Sequence, residues 1–471
     1  MGVTPSERYL GKLCRRSFLS LWSYPNLYTD EGRRNGKGTG EELCDLLVIF
    51  ENDIILFSDK YCDFNTSNPV DVSWRRWLKK AIFKSARQLH GAESWIRNHP
   101  DRIYLDKWCS KKFPFTIPGN SLVRVHLIAV AHGTHDTCKA YFGGKSSGSL
   151  IIDTGLKSVE QHKLPFHIGN ITPSKNYIHV FDDLTLDAVL LELDTISDFI
   201  SYILKREAFL NQDNKEIIAA GEEQLLAIYL TKLNDKGEHD FVLPEGDFDG
   251  LYFDESFWEG MVSNPQYVAK KNADEISYAW DRLIEHFITY GDKHISSDPQ
   301  KNKFNIQEKA LRIMAAEPRL RRRQLGHAFL NLMDTTPSGK GMTRLMVSND
   351  YPKVVYVFLI QPLLEGKTYQ EYREYRKFLL LAYCRVAKLK TTFSEFIVGI
   401  ATEPKGSKGA SEDLIVLETS LWTDEMQQEA ERVQKDLSLF LDQNIKRTEG
   451  HYKEYPDLPI RKKGKTKNRK L

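Results

Sequence analysis

Residues 42–60, ELCDLLVIFENDIILFSDK, constrain the fold more than any other stretch of this chain. Two β-rich runs meet across the short polar turn Glu51-Asn52-Asp53, and a tight connection of this kind forces antiparallel pairing into a hairpin. Before it, Leu10, Leu13, Phe18 and Leu21 recur at near-helical spacing, with Thr4 or Ser6 as N-cap, which predicts a helix from Ser6 to Leu21. After it, Trp74, Trp77, Ile82, Ala86, Leu89, Trp95 and Ile96 predict a long helix that packs on the hairpin and breaks before Pro100. The polar stretch 24–40 reads as a loop. Further β-rich runs at 122–132, 149–153 and 177–183, with a helical run at 185–207, make the first 205 residues a mixed α/β unit.

The rest of the 471-residue chain divides by composition. An acidic, Gly- and Pro-bearing segment at 232–256 reads as a linker, and 273–335 is mainly helical, with Trp280, Leu283, Ile284 and Phe287 on one face. Strand runs at 353–360, 394–404 and 413–418, with helices at 369–388 and 424–444, then predict a C-terminal α/β domain. The expected organisation is therefore 1–205, a helical linker or regulatory region 206–340, a sensing or binding domain 341–450 and a basic tail 451–471. No apolar run approaches the ~20 residues of a membrane span. The first residues lack the apolar core of a secretion signal, and the six cysteines form no Cys-x-x-Cys pair, so the expected setting is a reducing cytoplasm without membrane attachment.

The net charge of +2 hides seven basic residues among the last eleven, which leave the remainder at −5. With Arg319, Arg321, Arg322 and Arg323, and with Arg75, Arg76, Lys79, Lys80, Lys84 and Arg87 on the long helix, they make three basic patches suited to phosphate. Trp74, Trp77 and Trp95 share the spacing of the apolar face and read as core.

Chemistry concentrates in the hairpin. Alternation puts Ser58 and Lys60 on one face of the second strand, and Asp45 opens the neighbouring strand, so a carboxylate and an ammonium converge on one point of the sheet. That pairing suits hydrolysis in which a carboxylate holds a hard divalent cation and a lysine orients the attacking water.

On these residues the sequence resembles the restriction-endonuclease-like, PD-(D/E)XK superfamily of nucleases. The match covers the first hundred residues: a helix bearing Glu7, Asp45 on a strand, Lys60 on the next strand and Gln88 on the following helix. The resemblance implies a mixed sheet flanked by helices and phosphodiester hydrolysis with Mg²⁺ or Mn²⁺, on DNA rather than RNA. It also implies a homodimer, and the domain layout resembles bacterial effectors of defence against phage that answer to an activating partner or ligand. The chain departs from the pattern at Ser58, where an acid is expected. Asp59 reaching the site through a bulge, Glu42 or Glu7 supplying the missing carboxylate, and a degenerate, inactive fold that binds nucleic acid or a partner are the three accounts; Glu42 is favoured. The implied site is Asp45, Glu42 and Glu7 for the metal, Lys60 with Ser58 and Asp59 at the chemistry, and Lys79, Lys80, Lys84, Arg87 and Gln88 toward nucleic acid.

Two other signals are weaker. His126, His132, His135 and Cys138 offer a partial zinc set without a fourth ligand, and a polar loop explains them more simply. The loops 143–149 and 337–343 contain Gly-Lys but hold Lys139 and Asp334 where a phosphate-binding loop needs its first glycine.

Overall fold

The computed structural model describes residues 2–33, 37–118, 122–158, 160–212, 215–243, 246, 249–290, 303–348, 352–407, 411–450 and 452–458; the basic run 461–471 lies outside them. The chain forms two compact units, residues 1–263 and 264–471. The expected boundaries at 205 and 340 are not where it divides, because short strands after residue 205 complete a second sheet of the first unit.

The first unit begins with α1 (Pro5–Phe18), closed by a Thr4–Glu7 capping box. A meander follows: β1 (Ser23–Thr29), β2 (Glu41–Phe50) and β3 (Asp53–Tyr61), each antiparallel to the next. The hairpin is as expected, with Leu46 opposite Phe57 and Glu51 at φ 53° in the turn. Strand β1 occupies the front of the stretch expected to be loop. Pro25 and Asn26 argue against a strand there, but among the described residues the only strand on the far side is β4 (Ile103–Tyr104), which pairs with Tyr28 and Thr29 alone, so the amide Pro25 lacks has no strand partner to miss there. The long helix is α2 (Val70–Leu78) and α3 (Lys84–Asn98), joined by a π turn at Lys79–Phe83. It returns the chain to β5 (Arg124–His132), parallel to β3.

After α4 (His135–Tyr141), β6 (Ile151–Asp153) and β7 (His167–Ile168), β8 (Ile178–Phe181) adds to the first sheet parallel to β5, giving the order β4-β1-β2-β3-β5-β8. The helical run expected at 185–207 is two helices, α5 (Asp183–Glu192) and α6 (Ile196–Leu210), the second capped by Thr195. Strand β9 (Glu216–Ala219), α7 (Glu222–Thr231), β10 (Gly250–Phe253) and α8 (Ser256–Val262) complete the unit; β10-β9-β6-β7 is its second sheet. Within the first sheet, α1 and α6 cover one face, where Phe18 packs between Phe57 and Phe199, and α3 covers the other, where Ser85 meets Ser58. Trp74 and Trp77 are fully buried and stacked, as their spacing predicts.

Gly133, directly after β5, has φ +98°, and a Cβ there would stand 2.3 Å from the Cys62 carbonyl oxygen. Gly133→Ala therefore adds left-handed strain to a backbone collision and is expected to cost about 2–4 kcal/mol in a denaturant melt.

The second unit opens with α9 (Pro265–Asp274), α10 (Tyr278–Tyr290), α11 (Lys303–Ala315) and α12 (Arg319–Thr335). It closes with the sheet β11-β12-β13-β14: β11 (Met342–Met346), β12 (Val354–Ile360), β13 (Phe396–Thr402) and β14 (Asp413–Glu418), in which α13 (Tyr369–Lys390) links the parallel pair β12 and β13, followed by α14 (Asp424–Leu437). Strand β11 is an unforeseen addition. The arginine cluster of α12 is not an open phosphate surface. Arg319 and Arg322 both bond Asp281, Arg321 pairs with Glu317, and Arg323 reaches Asp274 and the Lys453 and Glu454 carbonyls, all buried. Buried guanidinium groups persist only when paired in this way. Among the described residues no helix is long and apolar enough to cross a membrane.

Candidate functional site

The site forms where β2 and β3 part. Their ladder runs as far as Leu46 and Phe57; beyond it the Asp45 carboxylate, rather than a backbone carbonyl, accepts from the Asp59 backbone N–H at 2.6 Å. Asp45 thus sits across from Ser58, on the α3 side of the sheet. On that side Lys60 Nζ donates to Gln88 Oε1 at 3.1 Å, and Ser58 Oγ donates to the same oxygen at 3.3 Å. One helix-borne amide therefore holds both polar side chains of β3 that share the Asp45 face.

A bulge brings in a second acid. Leu27 lies opposite Cys44 but Tyr28 lies opposite Glu42, so β2 carries an extra residue, Leu43. Leu27 and Tyr28 point to opposite faces; Glu42 therefore faces away from Cys44 and shares the face of Asp45. Without the bulge, alternation would turn it away. Asn26, at φ 49°, bridges two carboxylates through Nδ2: Glu42 Oε1 at 2.8 Å and Glu7 Oε2 at 3.3 Å. Glu7 also receives the Val3 backbone N–H at 2.6 Å and closes the α1 cap. Burial opposes its ionisation, but these donors hold it below the usual carboxylate range. Glu7 is thus a cap and an anchor for Asn26.

Asp45 is buried, and burial, with Glu42 and Glu7 nearby, pushes its carboxyl up to about 7 against the opposing pull of the Asp59 amide and Lys60. Among the described residues no group of three or more His, Cys, Asp or Glu side chains stands close enough to hold a metal ion. Mg²⁺ keeps several waters and takes one or two carboxylates together with substrate phosphates, so a cage of three or more protein ligands is not what it requires. Asp45 and Glu42 share one face of β2. A divalent cation would favour the ionised form of Asp45, which burial chiefly opposes, and on that donor chemistry the two carboxylates would fit it.

Asp59 does not reach this site. It points to the other face, as alternation predicts, and hydrogen-bonds His132 Nε2, while His132 Nδ1 bonds Asp183. Burial alone would lower His132, but Asp183 and Asp59 override it and raise its value to about 10. The folded value exceeds the ordinary 6.5, so this stabilisation is complete below about pH 6.5 and disappears as pH rises through about 10. His132→Ala leaves the Asp59 carboxylate buried without its cation; we expect a loss of about 3 kcal/mol at neutral pH in a denaturant melt, and a flatter stability profile toward alkaline pH.

The remaining histidines and cysteine of the zinc-like string are dispersed. His126 pairs with Asp53, and Cys138 donates to the Ser149 carbonyl. On the long helix, Arg76, Lys79, Lys80, Lys84 and Arg87 are exposed and have no acidic partner among the described residues, while Gln88 turns inward to Lys60. The sequence reading missed Asn26, which lay in an assumed loop, and the bulge at Leu43, which leaves no mark in hydropathy. No protein-family model, curated protein or solved structure matches the chain.

Proposed function

We propose that this protein is a metal-dependent nuclease whose first unit hydrolyses phosphodiester bonds, DNA foremost. The observation that carries the reading is the convergence of Asp45 and Glu42 with Lys60 and Gln88 where β2 and β3 part. The chain order supports it: a helix bearing Glu7, a strand bearing Asp45, the next strand bearing Lys60 and a following helix bearing Gln88, the order on which the resemblance rests.

Mg²⁺ or Mn²⁺, when bound, supplies charge neutralisation at the phosphate and a water of lowered pKa. Asp45 and Glu42 would hold it, with Glu7 fixing Glu42 through Asn26. Lys60, its ammonium steadied by Gln88, orients the attacking water and offsets the negative charge that grows on the phosphate oxygens. Ser58, bonded to Gln88 and Ser85, supplies no charge and keeps the amide facing Lys60. Arg76, Lys80, Lys84 and Arg87 fall on successive turns of the same helix and present a row of cations to a phosphate backbone.

One observation favours a second reading, a nuclease fold that binds without cutting: the acid expected at Ser58 is absent, and Asp59 is committed to His132. The test is incubation of the purified chain with plasmid, linear duplex, single-stranded DNA and RNA, in Mg²⁺, Mn²⁺ or EDTA. Cleavage that EDTA abolishes supports the enzyme. Salt-sensitive binding without cleavage in any metal supports the second reading.

A further inference from the structure

Beside the carboxylate site stands a rigid turn with an uncovered indole. Of the eight tryptophans only Trp108 is exposed, at 58%. Its place is fixed rather than loose. Asp106 accepts from the backbone N–H groups of Trp108 at 2.9 Å, Ser110 at 3.1 Å and Lys111 at 2.8 Å, and from Ser110 Oγ at 3.0 Å. The turn is fastened at both flanks, since Leu105 N donates to the Lys111 carbonyl and Phe113 N to the Ile103 carbonyl. Lys107, Lys111 and Lys112 belong to the same turn and are exposed without an acidic partner among the described residues, and Lys107 Nζ lies 5.0 Å from the ring centroid.

Two contacts tie this turn to the site. The Lys107 carbonyl accepts from Gly40 N at 2.7 Å, two residues ahead of Glu42, and Arg33 donates to the Trp108 carbonyl. Tyr28, opposite Glu42 in the ladder, feels the charges of Glu42, Glu7 and Asp106 together. The turn therefore borders the acids.

We propose that the turn Asp106–Lys112 is a platform for single-stranded nucleic acid: a base stacks on Trp108 while Lys107, Lys111 and Lys112 hold the flanking phosphates. An exposed indole with Lys107 over its ring and two further lysines on the same turn suits an unpaired base, whose own face is free, whereas bases of a duplex are already stacked. Because the Asp106 carboxylate pre-orders the turn, binding loses little further backbone freedom. The proposal rests on the nucleic-acid reading of the neighbouring site and adds the strand form that site receives.

The experiment is fluorescence anisotropy in EDTA with the full chain carrying Asp45→Asn, titrated into a labelled oligothymidylate and into a duplex of equal length. Trp108→Ala in that background is expected to weaken single-strand binding about tenfold, with Trp108→Phe retaining most of it and duplex binding changed less than about threefold. Charge removal at Lys107, Lys111 and Lys112 together is expected to flatten the salt dependence, which Trp108→Ala leaves unchanged. Unaltered single-strand affinity in Trp108→Ala, equal losses on single strand and duplex, no rescue by Phe, or no binding by the parent each overturn the platform. A parallel cleavage assay of the wild type in Mg²⁺ separates the two claims: cleavage with an indifferent Trp108 removes the platform alone, and Trp108-dependent binding without cleavage removes the nuclease alone.

Discussion

In EDTA at about pH 8, Asp45→Asn is expected to be more stable than the wild type by on the order of a few kcal/mol, and in Mg²⁺ to cut at least about a thousandfold more slowly. The sign follows from the direction of the shift. The Asp45 carboxyl rises from 3.8 to about 7 on folding, so the folded state resists its ionisation. The penalty is absent below about pH 4, grows between about pH 4 and 7, and is complete above; wild-type stability in EDTA therefore falls across that window and the variant's falls less. Asparagine keeps an oxygen for the Asp59 N–H and removes the charge beside Glu42 and Glu7. Denaturant melts across pH with and without Mg²⁺ check this, and Mg²⁺ should stabilise the wild type but not the variant. Equal or lower stability of Asp45→Asn in EDTA would show that burial does not penalise the Asp45 carboxylate.

Lys60→Ala is expected to lower the cleavage rate by on the order of 10²–10³-fold while nucleic-acid binding changes little, because the helix cations remain. The fold should survive, since the Lys60 head group is held through one side-chain bond, to Gln88, at the solvent-facing end of β3. Gln88→Ala should give a smaller loss of the same kind, because it frees the ammonium without removing it. Single-turnover rates beside anisotropy separate the two effects, and a Lys60→Ala enzyme that cuts normally would remove lysine from the mechanism.

What the sequence made legible was whatever periodicity encodes. The β2–β3 hairpin, the long helix and the inward Trp74 and Trp77 follow from alternation and helical spacing, whereas Trp95, expected in the core with them, is half-buried; alternation alone placed Lys60 with Ser58 and sent Asp59 to the other face. Strand β1 was hidden because Pro25 and Asn26 carry turn signals, and its pairing is decided by β2, twelve or more residues on. Glu42 joins Asp45 through a bulge, a register defect that no hydropathy pattern carries. The α12 arginines misled because a run of guanidinium groups reads the same whether it meets solvent or, as here, Asp281 and Glu317. Trp108 lies in a turn without periodicity, so its exposure is a property of the tertiary structure alone. The mixed α/β class was thus open to inspection, whereas Glu42 was named from the resemblance and its place beside Asp45 follows from the bulge alone.

The most direct measurement is cleavage of labelled DNA, duplex and single-stranded, by the wild type, Asp45→Asn and Lys60→Ala in Mg²⁺, Mn²⁺ and EDTA, with matched melts to show that each protein is folded. The account predicts metal-dependent cleavage by the wild type alone. A folded wild type that binds DNA but leaves it intact in both metals, or cleavage that persists in folded Asp45→Asn and Lys60→Ala, would contradict it.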